Sequence, residues 1–147
     1  MSKLIKVIVI AVVLAALFTR CDKNDDNNND DNITIFKATL VGSSEVPPNP
    51  STATGSTTLT YNESTKRFVA VTTYTGITPS AGHIHNAAVG ENGGIVFPFV
   101  MSSSPITLES EVLTQEQIDE LFEGRMYVNL HTEEYPGGEI RGQLIKQ

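Results

Sequence analysis

From Ile33 onward the sequence is cut into strand-length pieces by turn residues, and no stretch escapes long enough to build a large helix. Thr34–Val41 is β-rich. Gly42–Ser51 holds Pro47, Pro48 and Pro50, which bar a central strand there. Gly55–Tyr61 and Arg67–Thr75 flank the turn at 62–66 and read as a hairpin. Further strands are expected at 83–87, 95–100, 106–112, 126–131 and 139–145. Short strands at this spacing predict an all-β fold, an antiparallel β-sandwich of Greek-key-like topology. One short helix is expected near the C-terminal end, over 115–123. Thr114 and Gln117 form a capping box, Ile118, Leu121 and Phe122 share one face, and Gly124 stops it. The expected place for this helix is across the open edge of the sandwich.

Composition narrows the function. The 147 residues suit one domain. Charged residues make up 18%, and the net charge is −7. A nucleic-acid partner is therefore excluded, since phosphate binding needs clustered Lys and Arg. The single Cys excludes a disulfide framework and a cysteine zinc site.

Lys3 and Lys6 precede an apolar run from Val7 to Phe18, too short to span a bilayer. Residues 1–20 read as a signal peptide. Cys21 follows directly and is the expected lipidation site. The stretch resembles a bacterial lipoprotein signal, with Arg20 and Phe18 departing from the usual lipobox. Residues 21–32 then form an acidic Asp/Asn tether, expected to be disordered. It resembles the surface-export signals of lipoproteins in Bacteroidetes-like bacteria. Loss of residues 1–20 removes Lys3, Lys6 and Arg20, leaving seven basic residues against 17 acidic ones, a net charge of −10. The expected location is the outer membrane or cell surface, with the membrane contacted through a lipid anchor.

All three histidines lie in distinctive segments. On a strand, positions i and i+2 point to one face. His83 and His85 therefore project together, as do Tyr127, Asn129 and His131, and as do Glu139, Arg141 and Gln143. A His-x-His pair with a distant third His suits zinc or copper. His83, His85 and His131 are thus candidate metal ligands, and Asn129, Glu139 and Arg141 form a candidate polar network. The alternative is that a Glu139–Arg141 pair and the histidines pin the 90–94 and 136–138 turns by hydrogen bonds, with no cofactor at all. No nucleophile constellation or phosphate loop is present in the sequence.

Gly82-His83-Ile84-His85, Gly90, Asn92-Gly93-Gly94, Glu45-Val46-Pro47-Pro48 and Tyr135-Pro136-Gly137-Gly138-Glu139-Ile140-Arg141-Gly142 together resemble a CHRD domain, the module named after chordin. The resemblance covers about residues 34–145 and places the domain at 33–147. Gly82 and Asn86 depart from its pattern, standing where Ala and Gly are usual. The resemblance implies an extracellular all-β module and no reaction. The reading is a lipid-anchored envelope binding or structural module, not an enzyme, with an extracellular protein or glycan as partner. The alternative is a metal-binding envelope protein. The histidine set is similar in outline to the copper ligands of copper–zinc superoxide dismutase, but the bridging histidine, separate zinc set and disulfide are missing. Superoxide dismutase-like chemistry is the outlying reading.

Overall fold

The computed structural model describes residues 32–147. The expected signal peptide, Cys21 and all but the last residue of the acidic tether lie outside the described residues. Among the described residues nine strands and one α-helix follow in chain order, with a 3-10 turn at Gly42–Ser44 after the first strand: β1 (Ile33–Val41), β2 (Thr54–Asn62), β3 (Arg67–Thr75), β4 (Ala81–Asn86), β5 (Gly94–Pro98), β6 (Ile106–Glu109), α1 (Gln115–Phe122), β7 (Met126–His131), β8 (Ile140–Gln143) and β9 (Ile145–Lys146). Every pairing is antiparallel.

The strands make one sheet in the order β5-β4-β7-β8-β1-β2-β3-β6, with β9 paired to β1. β8 returns to lie beside β1, so the order 8-1-2-3 has the Greek-key form. The sheet curls until its two halves face each other. Phe68 of β3 and Phe97 of β5 stand six places apart in the strand order, yet their rings meet edge to face at 5.1 Å. The bend falls at β1, which meets β8 through Val41↔Arg141 and β9 through Phe36↔Lys146.

Alternation explains the core. Phe36, Ala38 and Leu40 of β1, Leu59 and Tyr61 of β2, and Phe68 and Ala70 of β3 point inward, and every second residue between them is polar or exposed. Ile84, Val128, Leu130 and Ile140 supply the facing half. The β2–β3 hairpin closes through the expected turn, with Lys66 at φ 54°.

Three details differ from the sequence reading. The 106–112 strand ends at Glu109, because Ser110 turns its hydroxyl to the Phe68 N–H at 2.8 Å. The 139–145 strand splits at Leu144, whose N–H leaves β8's partner register and donates to Met126. The helix does not cover an edge. Phe122 meets Phe36 at 5.2 Å and Tyr61 at 5.6 Å, which places its last turn against β1 and β2 in the middle of the order. Its capping box forms as expected, Gln117 N–H donating to Thr114 Oγ1 at 3.2 Å and Thr114 N–H to Gln117 Oε1 at 2.9 Å.

Candidate metal centre

An antiparallel strand commonly keeps one face wet. β7 does not: Met126, Tyr127, Val128, Asn129 and Leu130 are all buried. The outer face of β4, β7 and β8 lies under three loops, 42–53, 87–93 and 132–139, and the hydrogen bonds below tie it to each. It therefore holds a second interior, and this one is polar.

Register sets the order within it. His83 faces Asn129, which faces Arg141, while His85 faces Tyr127, which faces Gln143. His131 follows Asn129 by two residues and so lies diagonal to His83. The nitrogens of His83, His85 and His131 that could take an ion lie within 4.8 Å of one another. His83 Nδ1 stands 3.1 Å from His131 Nε2. Nitrogens on a tetrahedral ion at roughly 2.0–2.1 Å would be about 3.3 Å apart, so the pair needs almost no movement. His85 is buried at the base of the group, and His83 and His131 are half-buried at its mouth.

Two backbone carbonyls fix the ring protons. His131 Nδ1 donates to the Pro136 carbonyl at 3.0 Å, and His85 Nδ1 donates to the Gly93 carbonyl at 3.0 Å. A carbonyl only accepts, so each Nδ1 carries the proton and each Nε2 a lone pair. This is the arrangement in which histidine commonly binds metal. His83 meets His131 rather than a carbonyl, donating from Nδ1 to the Nε2 lone pair. Among the described residues, His85 Nε2 and Asn129 Oδ1 are the buried side-chain polar atoms left without a hydrogen-bond partner.

Burial pushes all three imidazoles below their ordinary pKa. For His83 the neighbouring His131 and His85 add to the effect. For His85 the Gly93 carbonyl and Asn129 pull back and Arg141 pushes further down. For His131 the Pro136 carbonyl pulls back and His85 opposes it. The rings are neutral at neutral pH, the form a metal requires.

The expected histidine bonds to the 90–94 and 136–138 turns form, through the Gly93 and Pro136 carbonyls, but Glu139 and Arg141 do not pair with each other. Arg141, 2% exposed, donates to the Glu91 carbonyl at 2.7 Å and to Asn92 Oδ1 at 3.2 Å. Its guanidinium carbon sits 3.4 Å from the Tyr127 ring centre. Glu139 turns elsewhere, accepting from Ser51 Oγ at 2.6 Å and Thr132 Oγ1 at 2.5 Å. Strand parity puts both side chains on one face, but each is claimed by a different loop. Asn129 Nδ2 donates to Glu45 Oε1 at 3.3 Å and to the Gly137 carbonyl at 3.4 Å.

The residue missed from the sequence is Glu45. It is buried, and burial lifts its pKa against the pull of Arg141 and the Asn129 hydrogen bond. A carboxylate inside a proline-rich loop was the available signal. Gly138 makes room for it: at φ +131° a Cβ there would stand 2.3 Å from Asn129 Nδ2 and 2.5 Å from Glu45 Oε1.

Comparison with protein families places these same segments. A model of the CHRD domain matches residues 36–144. The chain belongs to the CHRD domain family. The match runs from Phe36 of β1 to Leu144, and so takes in the three histidines, Glu45, Tyr127, Asn129, Glu139 and Arg141. No curated protein and no solved structure matches this CHRD chain.

Proposed function

We propose that this CHRD domain is an envelope-displayed binding module that holds one zinc or copper ion between His83, His85 and His131. The observation that carries the reading is His85 Nε2, a buried lone pair without a partner, facing two further imidazoles. A buried polar atom left unpaired costs about 1–3 kcal/mol. An ion at this point removes that cost and takes up the His131 Nε2 lone pair as well, the His83 proton moving from Nδ1 to Nε2 so that His83 Nδ1 becomes the third ligand. A metal-free hydrogen-bond network accounts for the His83–His131 contact, but with Nδ1 protonated on the Gly93 carbonyl it leaves the Nε2 lone pair of neutral His85 unsatisfied. Asn129 Oδ1 can pair with that nitrogen only when the ring takes a second proton, which burial disfavours. Three neutral nitrogens suit zinc and copper, whereas magnesium and calcium take oxygen ligands. The half-buried mouth leaves a fourth position open to water or to a group from a partner. The activity assigned is binding, not catalysis.

Denaturation of the full chain with and without added zinc tests the reading, using Cys21→Ala throughout to remove the competing thiol. Zinc at a hundredfold excess over its dissociation constant should stabilise the fold by about 2.7 kcal/mol. His83→Ala should abolish that gain. No shift with either zinc or copper would overturn the proposal. Display at the envelope rests on Cys21 and the apolar run before it. Cys21→Ala should move the protein from the membrane fraction or leave it uncleaved, and unaltered processing with membrane retention would overturn that part.

A further inference from the structure

Three side chains of the polar interior hold three consecutive residues of one loop. Arg141 donates to the Glu91 carbonyl at 2.7 Å and to Asn92 Oδ1 at 3.2 Å. Tyr127 Oη accepts the Gly93 N–H at 3.2 Å. His85 Nδ1 donates to the Gly93 carbonyl at 3.0 Å. The same three side chains stack on one another. The His85 ring lies 5° from parallel to Tyr127 with centroids 4.9 Å apart, and the Arg141 guanidinium covers the Tyr127 ring at 3.4 Å. His85 comes from β4 and Arg141 from β8, on the two sides of β7.

Arg141 cannot be a ligand, because a guanidinium has no free lone pair at any working pH. A buried cation near a metal site also repels the ion. Its placement therefore needs another reason, and its hydrogen bonds supply one: they end on the loop that carries the Gly93 carbonyl. That loop cannot settle elsewhere cheaply. Gly93 runs so close to β4 that a Cβ would stand 1.7 Å from the Asn86 carbonyl oxygen. The carbonyl in turn sets which nitrogen of His85 holds the proton, and the Tyr127 stack sets the plane of its ring.

We propose that Tyr127 and Arg141 are positioning residues of the metal centre: they fix the 91–93 loop, whose Gly93 carbonyl holds His85 with Nε2 directed at the ion. The inference rests on the three-histidine reading above. Partners that orient a metal-binding histidine are typically worth 10–100-fold in affinity.

The test is copper(II) binding to the full chain carrying Cys21→Ala, measured by competition with a chelator and by electron paramagnetic resonance. Tyr127→Phe keeps the ring stack and removes the acceptor of the Gly93 N–H. Asn92→Ala removes an acceptor of Arg141 and a donor to the Val46 carbonyl, both from an exposed position, so its cost to the fold should be small and is checked by its denaturation midpoint. Each variant should bind copper about 10-fold more weakly. The nitrogen hyperfine pattern should lose the contribution of one imidazole. Should Tyr127→Phe fail to fold, Asn92→Ala decides alone. Folded variants with parental affinity and an unchanged spectrum would overturn the positioning role and leave the three-histidine site standing. A parent chain that binds no copper would overturn both.

Discussion

At the scale of single residues, the site depends on close approach more than on charge. Gly138 is the sharpest case. Its φ of +131° is one that side chains rarely adopt, and the space a Cβ needs is filled by Asn129 and Glu45. Gly138→Ala should cost about 1–3 kcal/mol, the strain of a non-glycine residue in such a conformation. A denaturant midpoint equal to that of the unaltered chain would show that the loop relaxes freely. The histidines give a second residue-scale expectation, on pH. Their folded pKa values lie below the unfolded value of about 6.5. Folding therefore favours the neutral rings, and the unfolded chain binds more protons as pH falls. The contribution to stability is complete above about pH 6.5 and is lost as pH falls through the depressed folded values. The metal-free chain should lose stability as pH falls below about 6.5, and His83→Ala should flatten part of that slope. A slope unchanged in the variant would place the titration elsewhere.

At the scale of elements, α1 carries its own test. Thr114→Ala removes the side-chain acceptor of the Gln117 N–H and should cost about 0.5–2 kcal/mol. An unaffected denaturation midpoint would mean that Leu121 and Phe122 hold the helix without its cap. The cap was legible in the sequence because it is local: Thr114 and Gln117 are three residues apart and need no tertiary partner. The strands were legible for a similar reason, since alternation reports which side chains point inward. Parity also placed His83 with His85 and Asn129 with His131. What parity could not give was the cover over the outer face. Glu139 and Arg141 share a face, yet Ser51 and Thr132 take one while Glu91 and Asn92 take the other. Those partners lie up to 88 residues away in the chain, and nothing local records where such loops come to rest. The helix was misplaced on the same grounds. Its apolar face was readable, but the strands it covers depend on how far the sheet curls.

At the scale of the whole molecule, the CHRD domain has two interiors on the two sides of β7. One is the apolar core shared by the halves of the curled sheet. The other is polar, closed by loops, and contains every histidine in the chain. A fold of this size gains most of its stability from the first. The second stabilises little on balance, because buried polar groups roughly exchange water for each other. Its value is a fixed arrangement of donors and acceptors, and the arrangement leaves one imidazole lone pair without a partner at the base of three converging rings. X-ray absorption of the zinc-loaded full chain, carrying Cys21→Ala, addresses that arrangement most directly. The account predicts a nitrogen shell at about 2.0–2.1 Å with outer-shell scattering from three imidazoles, reduced to two in His83→Ala. A shell of oxygens alone, with no imidazole scattering, would contradict it.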